Sequence, residues 1–249
     1  MEGMNVVVTD RQPEISGRCE SRDGQSGAGE ADALGATLED YYRSRAPEYD
    51  RFYQRPERQS DLARLRAWLA DRVRGRTILE IAAGTGYWTE VAAPVCKAMI
   101  ATDAVQETLA FAAERRLGSN VELLTADAYC LPRFTTTFDA GMAHFWWSHV
   151  EKQRQQAFLS QFMNCLAPDA LVLMIDQTYV EGICPTMSRY DEWQNRYELR
   201  TLQDCTTYEI VKNYPTDDEL LASFAQFAED LRIMRLDHFW ALSARNRAR

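Results

Sequence analysis

The stretch TILEIAAGTGYWTEV, residues 77 to 91, constrains this chain more than any other. An apolar run ends in an acid, Glu80, two glycines follow at Gly84 and Gly86, and a helical pattern begins directly after them. Glycines let backbone approach a ligand closely and accept a positive φ. The order therefore reads as the opening strand, loop and helix of a nucleotide-binding sheet. A dinucleotide fingerprint counted from Gly84 needs a third glycine at position 89, and Thr89 stands there instead.

The texture downstream supports the same sheet. Short apolar strands over 76–82, 97–102, 120–125, 137–143 and 170–176 alternate with helical patterns over 88–95, 104–116 and 151–166. Such alternation specifies an α/β fold, a doubly wound and mostly parallel sheet with helices on both faces. Its ligand crevice runs along the C-terminal ends of the strands.

Around this centre the chain divides into a tail over 1–34 and one domain over 35–249. The tail is rich in Gly, Ser and charge and reads as flexible. Residues 35–74 form a helical cap, interrupted near Pro47 and followed by a helix over 58–73. In that helix Leu62, Leu65, Trp68, Leu69 and Val73 make one apolar stripe. Past 177 the rhythm breaks. Residues 177–215 read as a lid insertion with a hairpin turning near 203–205. Thr216 then caps a helix, and 231–245 supplies one or two closing strands.

A length of 249 residues suits one large domain, or a domain with a lid. The formal charge of −9 argues against a nucleic-acid partner, because phosphate backbones need a basic surface. No secretory pattern or membrane-length apolar run is present, which points to the cytoplasm and away from membranes. Six cysteines at 19, 96, 130, 165, 184 and 205 form no C-x-x-C and sit close to no histidine, so no metal site is expected.

Three acids fall at three strand ends: Glu80, Asp103 nineteen residues after Gly84, and Asp127 in ADAYCLP. Taken singly, Glu80 reads as a salt-bridge partner and the two aspartates as helix caps. Taken in register, an acid after the second strand accepts from a ribose diol, and one after the third accepts from an adenine amine. At these residues the chain resembles the class I S-adenosylmethionine-dependent methyltransferases. Their loop, acid-x-G-x-G-x-G, is matched by Glu80, Ala82, Gly84 and Gly86, with Ala82 in place of the first glycine. TDAVQETLAFA, FDAGMAHFWWSHV and LAPDALVLMIDQ continue the likeness over about 37–247.

The resemblance implies a seven-stranded, Rossmann-like sheet and S-adenosyl-L-methionine as cofactor. It places Glu80, Ala82, Gly84 and Gly86 around the methionine and ribose, and Asp103 on the ribose hydroxyls with Ala104 beside the adenine. Asp127 and Ala128 then meet the adenine edge and ring, and Trp88 packs on the cofactor. Tyr42 and Arg45 close over it from the N-terminal helices, although an aromatic stripe there reads equally well as core.

On the acceptor side, HFWWSHV places Trp146 and Trp147 near the crevice, one as core and one as a flat face for a ring. His144 and His149 are the candidate proton acceptors, His149 having a structural hydrogen bond as its other reading. Tyr179 and Arg189 in the insertion are candidate substrate contacts. The aromatic content favours a small aromatic or heteroaromatic acceptor, methylated on nitrogen or oxygen by direct transfer. The likeness extends to toxoflavin-type azapteridine N-methyltransferases of secondary metabolism. The expected state is monomer or homodimer. A nicotinamide-dependent oxidoreductase and a non-catalytic homologue are the competing readings.

Overall fold

The computed structural model describes residues 37–247; the tail expected over 1–34 lies outside them. Helix α1 (Leu38–Arg45) starts in a reciprocal cap: Thr37 accepts from the Asp40 amide while the Asp40 carboxylate accepts from the Thr37 amide. At Pro47, which has no N–H to donate, the α-helix gives way to a 3-10 segment, Ala46–Gln54. Helix α2 (Gln59–Arg72) buries Leu62, Leu65 and Leu69, the stripe seen in the sequence.

Alternating elements follow: β1 (Thr77–Ile81), α3 (Tyr87–Ala92), β2 (Ala98–Asp103), α4 (Gln106–Ala113), β3 (Val121–Thr125), β4 (Phe138–His144), α5 (Gln155–Asn164) and β5 (Leu166–Gln177). The chain closes with β6 (Met187–Tyr190), β7 (Arg196–Thr201), β8 (Thr207–Val211), α6 (Asp217–Phe224), β9 (Ala228–Arg235) and β10 (Phe239–Asn246).

Seven strands form one sheet in the order β3-β2-β1-β4-β5-β10-β9. The first five pair in parallel, and β10 is antiparallel to both β5 and β9. Alternation along the strands feeds two apolar layers. Ile78 and Met99 join Leu62, Leu65 and Trp88 on one face. Leu79 and Ile100 join Phe158, Phe162 and Phe224 on the other. This doubly wound sheet is the architecture expected from the alternation.

Three details differ from the sequence reading. Strand β5 begins at Leu166 rather than 170, because a register shift around Asp169, at φ 60°, lets the chain pair with β4 on both sides of an irregularity. Helix α5 begins at Gln155, after a 3-10 turn at Lys152–Arg154. The hairpin of β7 and β8 has a third partner, β6, giving a separate antiparallel sheet. The short β6, exposed throughout, carries too little alternation to be read as a strand.

Candidate active site

The strand order reverses between β1 and β4, since β1 runs on to β2 and β3 on one side while β4 runs on to β5 on the other. Such a switch point is where a parallel sheet opens a crevice. The loop after β1 turns through Ala82, Gly84 and Gly86, at φ of 56°, 58° and 78°. For an L-residue this left-handed conformation costs about 1–2 kcal/mol, and Ala82 carries that cost. Gly86 is required twice over: an added Cβ would lie 2.7 Å from the Ala112 Cβ of α4.

The carboxylate of Asp103, at the end of β2, clamps the loop. Its Oδ2 accepts from the Gly84 amide and its Oδ1 from the Val105 amide, both at 2.8 Å. A second clamp comes from the N-terminal segment. Asp50 accepts from the Thr85 hydroxyl at 2.7 Å and pairs with Arg115, whose Nε donates to the Thr85 carbonyl at 2.5 Å.

Above the loop lies a cavity of ≈ 450 Å³. Ala82, Gly84, Asp103, Ala104, Asp127 and Ala128 line one end. Tyr42, His144, Trp146 and His149 line it as well, together with Tyr197, Ile210 and Val211 from the small sheet. The volume is that of an ordinary small-molecule site.

Other residues singled out in the sequence stand elsewhere. Glu80 is 1 % exposed and does not line the cavity; its Oε2 accepts from the Thr89 hydroxyl at 2.6 Å. Gly86 abuts α4, and Trp88, 3 % exposed, belongs to the apolar layer against α2. Arg45 borders a side recess instead of the main cavity. Of the tryptophan pair, Trp146 lines the cavity and Trp147 is core against Phe224. Tyr179 borders a separate surface groove, and Arg189 is an exposed partner of Glu209.

The two histidines are not poised to exchange protons near neutrality. Burial pushes His144 down to about 3. Burial, and then Lys212, hold His149 well below its ordinary value, with Arg200 and Arg45 acting in the same direction. His149 Nδ1 lies 2.7 Å from the Val211 carbonyl, which only accepts, so in the neutral ring the proton is on Nδ1. Its Nε2 is then an acceptor, and the Tyr42 hydroxyl donates to it at 2.7 Å. The second reading of His149, a structural hydrogen bond, describes this geometry. Tyr197, Ile210 and Val211 carry no signal in the sequence, because an insertion strand announces no site until it folds back.

These residues fit S-adenosylmethionine. Two carboxylates at strand ends suit a ribose diol and an adenine amine, and the left-handed loop admits close backbone approach. The buried Trp146 Nε1 has no hydrogen-bond partner in the protein, so a donor is left for a bound molecule.

Residues 78–169 match the family model described as a methyltransferase domain. The chain is similar to DhpI in a complex with SAH, at 29 % identity and a TM-score of 0.70, covering 85 % of this chain and 96 % of that one. A DhpI complex with SAM and HEP matches at 28 % identity, TM-score 0.68, over 82 % and 94 % of the two chains. The Burkholderia thailandensis 1,6-didemethyltoxoflavin-N1-methyltransferase, with bound 1,6-didemethyltoxoflavin and S-adenosylhomocysteine, shares the fold at 16 % identity and a TM-score of 0.59, over 85 % and 88 %. No curated protein matches the chain.

Proposed function

The chain is an S-adenosylmethionine-dependent methyltransferase, and from that premise we propose that it methylates nitrogen or oxygen of a small aromatic or heteroaromatic molecule. The observation that carries the proposal is the shared cavity, with acids and a glycine loop at one end and Tyr42, Trp146 and Tyr197 in its walls. A planar ring finds flat partners there, and a toxoflavin-type azapteridine is one acceptor of that shape. The same reading keeps the enzyme cytoplasmic, as a monomer or homodimer. No helix among the described residues is long and apolar enough to cross a membrane.

When bound, the cofactor supplies a methyl group activated by its sulfonium. Asp103 holds the ribose hydroxyls while its amide contacts keep the loop closed, and Asp127 and Ala128 meet the adenine. Trp146 and Tyr42 orient the acceptor, and the N-terminal segment, latched through Asp50, excludes water. Positioning of this kind supplies effective molarities of about 10⁵–10⁸ M. With both imidazoles neutral and Nε2 of His149 taken by Tyr42, alignment rather than a strong base carries the rate.

Calorimetric titration with S-adenosylhomocysteine tests the cofactor end, and a mass-spectrometric screen for methyl gain across small aromatic alcohols, phenols and heterocycles tests the acceptor end. Binding of S-adenosylhomocysteine with methyl gain only on peptides or on aliphatic amines overturns the proposed acceptor class.

A further inference from the structure

Beside the main cavity lies a recess of ≈ 20 Å³ that shares Tyr42, Tyr49, Phe145, His149 and Ile210 with its wall. That volume has room for one or two water-sized groups, the oxygen atoms of a head group rather than a ring. Three cations border it: Arg45 from α1, Arg200 from β7 and Lys212 just past β8.

Their compensation is incomplete. Lys212 Nζ pairs with Asp176 at 3.2 Å and donates to Ser148 at 2.6 Å, a closed set. Arg200 shares the single carboxylate of Glu198, at 2.5 Å, with Arg196 at 3.3 Å, and its Nε is buried without a hydrogen-bond partner. Arg45 makes no ion pair among the described residues; it donates to the Tyr41 hydroxyl and lies over the Tyr49 ring, 5.0 Å from its centroid. Four cations thus face two carboxylates in a protein of formal charge −9. After burial, Lys212, Arg200 and Arg45 contribute to keeping His149 neutral. Along the rest of the cavity acids outnumber cations, with Glu39, Asp103, Asp127, Glu151 and Glu209 in the wall against Arg154.

A cavity acidic along one part and basic at a side recess suits two ligands of opposite charge. The acids face the part assigned above to a cationic nucleoside, and the recess lies where Tyr42 and His149 border the acceptor. Half-buried guanidinium groups with spare donors are costly unless an anion meets them, and their forked geometry matches an oxyanion. We infer that the acceptor carries an oxyanion, a carboxylate or a phosphate-type group, anchored in this recess by Arg45 and Arg200 with Lys212 behind them. The inference rests on the methyltransferase reading for the word acceptor, but the anion site stands on its own residues.

The test is calorimetric titration of the protein saturated with S-adenosylhomocysteine, using benzoate, phenyl phosphate and neutral benzamide as probes. One of the anions is expected to bind at least roughly tenfold more tightly than benzamide, the scale of one charge-assisted hydrogen bond. Arg200→Gln is expected to erase that preference. Arg45→Gln, which breaks no ion pair, is expected to do the same should the first variant fold poorly. Preference for phenyl phosphate alone assigns a phosphate-type group, and preference for benzoate alone a carboxylate. Equal affinity for benzamide, no binding of either anion, or preference unchanged in Arg45→Gln overturns the inference. Failure of S-adenosylhomocysteine itself to bind strikes the proposed function instead, and the anion titration is then read on the free protein.

Discussion

The Thr89 hydroxyl donates to the buried Glu80 carboxyl at 2.6 Å. Thr89 occupies the position where a dinucleotide fingerprint has its third glycine, and that glycine serves close packing of helix on strand. Here the position carries a side chain that ties α3 to the end of β1. The departure from the fingerprint and the acid before the loop are therefore one feature. Thr89→Val is expected to lower unfolding free energy by about 1–3 kcal/mol, the cost of leaving a buried polar group without its partner. Urea titration reads it, and an unchanged midpoint would contradict the tie.

Glu80 gives the protein a pH signature. Burial pushes its carboxyl from 4.5 up to about 8. The folded state then holds a proton that the unfolded chain releases, so this group's contribution is full below about 4.5 and is lost as pH rises to about 8. Glu80→Gln, which cannot ionise, is expected to match the parent near pH 4.5 and to exceed it in stability near pH 9. Parallel stability curves for the two proteins across that window would refute the assignment.

Asp103 is expected to matter to loop and ligand together. Asp103→Ala removes acceptors from the Gly84 and Val105 amides, besides the proposed ribose contact. Affinity for S-adenosylhomocysteine should fall by about tenfold or more, each charge-assisted hydrogen bond being worth about 1.5–3 kcal/mol. Calorimetry that returned the parental affinity would remove Asp103 from the cofactor site.

Activity should show no imidazole titration near neutrality. His144 is pushed down to about 3, and His149 lies well below its usual range. The pH profile of kcat is expected to be free of a histidine inflection between about pH 6 and 8. Tyr42→Phe, which strips the donor from His149 Nε2, is expected to lower kcat while S-adenosylhomocysteine affinity stays within a factor of a few. A kcat profile with an inflection near pH 6.5 that vanished in His149→Gln would restore the histidine as a base.

The latch between Asp50, Thr85 and Arg115 should govern access. Asp50→Ala is expected to weaken cofactor binding several-fold and to expose the 3-10 segment Ala46–Gln54 to limited proteolysis. S-adenosylhomocysteine should slow that cleavage in the parent and less so in the variant. Identical cleavage rates with and without ligand would show that the segment does not cover the site.

Much of the fold was legible because its signals are local. Strand and helix periods, the Gly84–Gly86 turn and the acids at strand ends each lie within a few residues of one another, and alternation alone implies a parallel sheet. Thr216 announced its helix because the capping partner Glu219 is only three positions on. The site was legible in part. Asp103 and Gly84 meet through a short βα unit, whereas the burial of Glu80 against Thr89 was not legible, since sequence gives no measure of which way a strand-end side chain is held.

Local order along the chain is enough to set the doubly wound sheet and the loop at its switch point. The wall of the cavity opposite the glycine loop exists only in the folded protein. Tyr42, His149 and Val211 come from three elements far apart in the chain, and a hydrogen-bond chain joins them only once β8 folds over the segment after β4. Arg45, Arg200 and Lys212 are invisible in a net charge of −9. Charge summed along a chain carries no record of where it converges, and only the folded geometry brings those cations to a single recess.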